Sequence, residues 1–426
     1  MGTSLWEVIN QRSLLIREPN EVRVLRLVRD SGEISRIEIA KACNLNKAYV
    51  SELVTKLIQT GFLEETGKVA TNDKVGRKRI LLRFLPMAGL VAGVDVGMTH
   101  STIVLTDLNA TVLRKRSFAY SLETPAKKVI SSAIDTITDL LAETNDSQTK
   151  LVGIGVGVQG LIDYRTNTLM VSHNKKSWEG ESLSTELEAH FNVPVYVEND
   201  VKAMTLGEYL LGSAKGIKNL VYLFIGNGLG AGIMINGHLH RGFTSSAGEI
   251  GYTELEPASF YKEQFPLMYN GQSIFGQILT DTNIIESYRR NKAGSGDGQI
   301  SVETIAERAH NGDNTAMQII KECALLLSSL SINLINTLNP ELIIIGGKLS
   351  QCYPEIIGQV RENIHKDLLS VPAEAVLVRA ATRGEEAVGL GATGLVLYEM
   401  FEPLHTISLQ ASRRYSFVRP NSAISD

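Results

Sequence analysis

The sequence predicts an α/β protein in which a winged helix-turn-helix head precedes two successive α/β lobes that close on a ligand. Three observations carry that reading. Residues 22–58 hold three short helical stripes with tight connections, the last with one apolar and one polar face. Two strand–turn–strand units with glycine at the turn, around Gly97 and Gly228, each open a run of strand-like and helix-like segments. Charge divides along the same line: residues 1–88 carry 15 of the 42 Lys+Arg and 10 of the 46 Asp+Glu, so the front is basic and the body acidic. A basic front end points to an anionic partner for the head.

A chain of 426 residues predicts two or three domains. We divide it into a winged helix-turn-helix head (1–88), a first lobe (89–200), a second lobe with the dimerisation surface (201–400) and a polar tail (401–426). Hydrophobic content of 43% with 21% charged residues suits a soluble chain with a large core. No uninterrupted apolar run reaches the length of a membrane span, and the amino end lacks a signal-peptide pattern, so a cytoplasmic protein is expected. Cys43, Cys323 and Cys352 lie far apart without metal-ligand spacing, which predicts reduced thiols.

In the head, Val22, Leu25 and Val28 mark a first helix that stops near Ser31-Gly32. Ser35-Arg-Ile-Glu38 is a capping box opening a second helix through Ile39, Ala40 and Cys43. Asn46 can cap a third, whose apolar face is Val50, Leu53, Val54, Leu57 and Ile58. Its polar side carries Lys47, Tyr49, Ser51, Glu52, Thr55 and Lys56. Residues at its amino end would meet base edges, while Lys47 and Lys56 would neutralise phosphates. Residues 62–65 and 79–84 read as strands flanking a loop that ends Gly76-Arg77-Lys78-Arg79, a DNA-contacting wing. The competing reading is a protein-interaction module with a solvated charge run.

In the body, strands are expected at 90–96, 101–105, 110–116, 151–158, 193–197, 219–225, 233–235, 341–345 and 375–378, with helices at 127–141, 272–290, 301–311 and 313–338. Residues 292–298 read as a flexible insert. At the first turn Asp95, Gly97 and Thr99 suit a phosphate or its magnesium ion; at the second, Gly228 and Gly230 offer backbone N–H groups. Asn199-Asp200, where a strand passes into a helix, is where open α/β sheets place ligand chemistry. An amide beside a carboxylate suits a polyhydroxylated ligand; the plainer alternative is that Asp200 caps the helix.

These stretches resemble the ROK family (repressors, open reading frames and sugar kinases) of the actin-like, hexokinase-like duplicated fold, and in particular its transcriptional-repressor branch, which includes xylose and N-acetylglucosamine repressors. The matching segments are Gly93-Val-Asp-Val-Gly-Met-Thr99, 153–163, 174–180, Glu198-Asn-Asp200, 226–232, Gly248-Glu-Ile-Gly-Tyr252, 339–347 and 386–392. The resemblance implies a sugar site of Gly160, Asn174, Asn199, Asp200, Glu249 and Tyr252, with Asp200 the base in kinase members. It also exposes departures. Tyr252 stands where the family has a zinc-binding His, and residues 253–272 contain no cysteine, so no structural zinc and no cofactor is expected. The loop 254–271 is then expected to be held by packing of Phe260, Tyr261, Phe265 and Tyr269. Trp178 is assigned to the core in preference to a sugar face. Met98, Gln159 and Asn227 replace the usual Gly, Pro and Thr, which leaves both phosphate turns degenerate.

The resulting expectation is a sugar-responsive repressor, not an enzyme. Its partners are double-stranded operator DNA, a sugar or sugar-phosphate effector and a second copy, as homodimer or dimer of dimers, with no membrane. The rival is an ATP-dependent sugar kinase with a DNA-binding appendage; a filament-forming protein fits less.

Overall fold

The computed structural model describes residues 19–70, 79–144, 150–172, 174–254, 262–272, 274–292, 300–367, 370–384 and 386–401. The head consists of α1 (Pro19–Ser31), β1 (Glu33–Ser35), α2 (Arg36–Cys43), α3 (Lys47–Gln59), β2 (Leu63–Ala70) and β3 (Arg79–Phe84). Both helix starts follow local chemistry. The Glu38 N–H donates to Ser35 Oγ while the Ser35 N–H donates to Glu38 Oε2 at 2.9 Å, a complete capping box. Asn46 Oδ1 accepts from the N–H groups of Ala48 and Tyr49 at 2.8 and 3.2 Å. β1 was not anticipated: a three-residue strand carries too little period to read, yet it pairs with β3 to complete a sheet ordered β1-β3-β2.

The first lobe contains β4 (Leu90–Val96), β5 (His100–Thr106), β6 (Val112–Ala119), α4 (Ala126–Ala142), β7 (Leu151–Val158), β8 (Leu161–Asp163), β9 (Thr168–Val171), α5 (Thr185–Phe191) and β10 (Val195–Asn199). Its main sheet runs β10-β7-β4-β5-β6. Then come α6 (Asp200–Leu211), β11 (Leu220–Ile225), β12 (Leu229–Ile235), β13 (His238–Leu239), α7 (Phe275–Ile278), α8 (Asp281–Asn291), α9 (Val302–His310), α10 (Asn314–Leu338), β14 (Leu342–Gly346), α11 (Lys348–Cys352), α12 (Glu355–Asp367), α13 (Ser370–Ala375), β15 (Leu377–Ala380) and α14 (Ala387–Phe401). The second main sheet runs β13-β12-β11-β14-β15. In both sheets an antiparallel hairpin continues into two parallel strands, so the two lobes are duplicates.

Two helices join the sheets. α6 packs on β12, α14 packs on β4 and β7, and the helices pack on each other. Glycine permits this: a Cβ on Gly93 would lie 2.1 Å from the Gly389 carbonyl oxygen, and one on Gly391 would lie 2.1 Å from that of Ala203. The last helix of the expected second lobe, 201–400, therefore rests on the first lobe's sheet. The head is equally integrated, because Val24, Leu25, Leu82 and Phe84 share one core with Val91, Leu108, Val152, Val396, Leu397 and Phe401. Phe401 meets Phe84 edge-on at 6.0 Å, and the Arg29 guanidinium lies 4.1 Å over the Phe401 ring.

The 25-residue α10 is long and apolar enough to cross a membrane by length and composition alone, but its buried face, including Ile319, Ile320, Leu327 and Ile335, fills the second lobe's core. Of the aromatic residues expected to hold the 254–271 loop, Phe265 is buried and Tyr269 packs beside it; Phe260 and Tyr261 lie outside the described residues. An anchor not anticipated is Glu322, buried in α10, which accepts from the Met268 N–H at 2.8 Å and the Leu267 N–H at 3.1 Å. Residues 293–298 of the expected insert, and the tail from 402, also fall outside the described residues.

Candidate functional site

The cleft is organised where β10 passes into α6. Asn199, not Asp200, caps the helix: its Oδ1 accepts from the N–H groups of Val201 and Lys202 at 3.0 and 3.2 Å. Its amide nitrogen donates to the Gly160 carbonyl at 3.1 Å and to Asp200 Oδ1 at 3.0 Å. The amide thereby orients Asp200, whose Oδ1 shares the Val201 N–H at 2.9 Å. Gly160 is required here. Its φ is +133°, and a Cβ would lie 2.5 Å from the Val171 carbonyl oxygen.

Asp200 is half-buried at this junction, and burial pushes its pKa up to about 6. The Val201 N–H opposes that rise, and the Glu249 charge adds to it. Glu249 and Tyr252 are both exposed, Tyr252 at 56%, and the Glu249 charge reaches Asp200 and Lys202. The sequence reading missed the cations that balance these carboxylates. Lys202 is 2% exposed and donates from Nζ to the Ser245 carbonyl; burial lowers its pKa while Glu198 and Glu249 favour its charge. Arg241 Nε donates to the buried Glu198 at 2.6 Å. A lysine among apolar neighbours, Val201-Lys-Ala-Met204, was the available signal. Arg241 is 43 residues from Glu198 and left none.

The first glycine turn is coupled to this junction through the charges of Asp95 and Asp200. Asp95 is half-buried within reach of the Asp200 charge, and burial, reinforced by that charge, raises its pKa to about 7. Lys175 opposes that rise. Its Nζ donates to the Gly97 carbonyl at 2.7 Å and to Tyr120 Oη at 2.8 Å, lying 4.0 Å from the Trp178 ring centre and 4.6 Å from that of Tyr120. Burial lowers its pKa to about 8. Trp178 is 1% exposed, stacks on Tyr120 and donates to the Thr124 carbonyl, so it belongs to the core.

The three departures from the family pattern come together. Asn227 Nδ2 donates to Met98 Sδ at 3.2 Å, Asn174 Nδ2 points at the same sulfur from 3.9 Å, and it donates to Gln159 Oε1 at 3.4 Å. Asn174 is thus placed at the phosphate-turn end. Thr99 is exposed, Gly228 has open space at its Cα, and a Cβ on Gly230 would lie 3.1 Å from Val201 Cγ2.

In the head, Lys47, Ser51 and Glu52 are exposed along α3. Lys56, with a side chain 54% exposed, pairs with Glu21, a buried carboxylate of α1. Tyr49 is half-buried and packs on the head's core. Arg79 begins β3 half-buried, whereas Arg77 and Lys78 lie outside the described residues.

Residues 91–399 match the ROK family model, and residues 18–68 match the MarR family model. The chain belongs to the ROK family. Its relatives put it in the transcriptional-repressor branch: it is 28% identical to a putative xylose repressor of Caldicellulosiruptor sp., over 91% of this chain and 97% of that one. It is 26% identical to the xylose repressor of Bacillus subtilis, over 90% and 96%, and 25% identical to the dual regulator NagC of Escherichia coli, over 88% and 92%. A crystal structure of a ROK family transcriptional regulator, a homologue of the E. coli MLC protein, superposes with a TM-score of 0.77 at 24% identity, covering 92% of this chain and 98% of that one. A ROK glucokinase from Streptomyces griseus superposes with a TM-score of 0.59 at 25% identity, covering 72% and 99%. Tyr252 stands at the position the resemblance gives to a zinc-binding His, and residues 253–272 contain no cysteine. Among the described residues no group of three His, Cys, Asp or Glu side chains could hold a metal ion.

Proposed function

We propose that this ROK protein is a sugar-responsive transcriptional repressor of carbohydrate genes, cytoplasmic and dimeric, whose head reads operator DNA and whose cleft binds a sugar or sugar phosphate. One observation carries the reading: α14 and α6, packed through glycine, connect the Asp200 cluster to the head's own core at Phe401. A ligand gathered by Asp200 and Glu249 therefore acts on helices continuous with the DNA-binding surface. Carboxylates at a cleft floor accept from sugar hydroxyls, and a ligand preferring one lobe arrangement shifts the spacing of paired heads. The site needs no zinc and no cofactor for this.

The test uses operator duplexes selected from a random pool by the intact protein. D-xylose and N-acetyl-D-glucosamine, free and phosphorylated, are then titrated against that complex. A change in operator affinity of about tenfold or more with one of them is expected. If operator affinity ignores every sugar tested, the sensor reading fails.

A kinase reading has one observation in its favour, the Asp200 carboxyl near 6, where a general base operates at neutral pH. Against it stand Met98 and Asn227, which touch where a phosphate chain would pass between the glycine turns.

A further inference from the structure

Phe243 is 85% exposed. A single exposed apolar side chain is ordinary on a protein surface, so exposure alone carries nothing. Its position does. Residues 241–247 form a compact loop closed by the Ala247 N–H donating to the Arg241 carbonyl at 3.1 Å, with Thr244 and Ser246 hydroxyls 2.9 Å apart. Two residues before Phe243, Arg241 Nε is bonded to Glu198 at 2.6 Å; two residues after it, the Ser245 carbonyl accepts from Lys202 Nζ. Glu198 and Lys202 stand two residues before and two after Asp200. The backbone on either side of Phe243 is therefore tied to residues that flank Asp200, on one side through Arg241 and the buried Glu198, on the other through the buried Ser245 and Lys202.

The loop is also conformationally committed. Gly242 has φ +73° and Ser245, 1% exposed, has φ +63°, a left-handed backbone that a serine adopts only under constraint. The Arg241 guanidinium lies 4.8 Å over the ring of Tyr164, on the turn after β8, which ties the loop to the rim beyond Gly160. Glu249 follows the loop directly, so one segment carries both a carboxylate and an exposed ring to the same junction.

A pyranose ring is amphipathic: its hydroxyls lie around the edge, and its faces are patches of C–H. Carboxylates at the edge with an aromatic ring over one face are complementary to it, and the ring also excludes water from the hydrogen bonds beneath. We propose that Phe243 is a specificity-determining cover for the effector, its ring lying on the C–H face of a pyranose whose hydroxyls are held by Asp200 and Glu249. The inference rests on the sugar-effector reading and deepens it.

The experiment uses the full chain, with D-xylose and N-acetyl-D-glucosamine as probes, and measures affinity calorimetrically for wild type, Phe243→Ala and Phe243→Trp. For the sugar that binds wild type, Phe243→Ala is expected to weaken affinity about tenfold, the loss of one well-packed aromatic contact. Its melting temperature without sugar should match wild type, as an exposed ring contributes little to the fold. Phe243→Trp should retain affinity, with a fluorescence change that saturates at the calorimetric Kd. Wild-type affinity in Phe243→Ala, with no sugar-dependent change in the emission of Phe243→Trp, overturns the inference while leaving the effector reading intact. A change in sedimentation mass of Phe243→Ala overturns it too, because the ring would then be packing against a second copy. If neither sugar binds wild type, the effector reading falls first and this inference with it.

Discussion

The amide of Asn227 donates to the thioether of Met98 across 3.2 Å, joining the glycine turn of the second lobe to that of the first. Two lobes that elsewhere in this fold could be bridged by a nucleotide's phosphates are here bridged by side chains. Purified protein is accordingly expected to transfer no phosphate from ATP to xylose, glucose or N-acetylglucosamine in a coupled assay. Turnover that disappears in Asp200→Asn would show a working kinase.

The contact of Phe401 with Phe84 is the joint between body and head. Phe401→Ala should destabilise the protein by roughly 3 kcal/mol, the usual loss for a buried phenyl ring. Calorimetric unfolding measures that loss. Sugar affinity should be retained while the sugar's effect on operator affinity shrinks; undiminished coupling would place the transmission elsewhere.

Lys47 and Lys56, alike in sequence, should behave differently. Lys47→Ala is expected to weaken DNA binding for all sequences and to lower the salt slope by about one. Lys56→Met leaves the Glu21 carboxylate without that partner and should cost roughly 1–2 kcal/mol of stability, with an unchanged salt slope. Salt titrations of operator binding by both variants decide between them.

Asp200 makes two opposite pH trends. Its folded pKa, about 6, lies above the ordinary aspartate value of 3.8, so the native state holds this proton more tightly than the unfolded chain. Its contribution to stability is therefore greatest in acid and is lost as pH rises through about 6. Sugar affinity should run the other way, falling below pH 6 as the accepting carboxylate is protonated. Asp200→Asn should reduce the first trend, leaving the share that Asp95 and Asp281 contribute with the same sign, read from melting temperatures between about pH 4 and 7.5.

Glu249 is exposed and its charge reaches Asp200. Glu249→Ala should abolish the sugar response and leave operator affinity without sugar within about twofold of wild type, consistent with the small effects of exposed substitutions. Collapse of DNA binding would make Glu249 structural.

What the sequence determined by itself was everything set by neighbours along the chain. The Ser35–Glu38 box and the Asn46 cap are complete within three residues, and the apolar spacing of α3 and the strand runs of both lobes are local periods. The glycine turns and the Asn199-Asp200 junction were legible for the same reason, although which of the two residues caps α6 depended on the Gly160 carbonyl arriving from 39 positions away. Tertiary structure alone decided the partners that close long loops: Lys56 with Glu21, Arg241 with Glu198, Lys175 with Gly97, and Met98 with Asn227 at a separation of 129. It also decided that α14, last in sequence, lies on the first lobe's sheet and reaches the head. No periodicity encodes such a meeting; it follows from where glycine lets two backbones approach and where buried charges find a counter-charge.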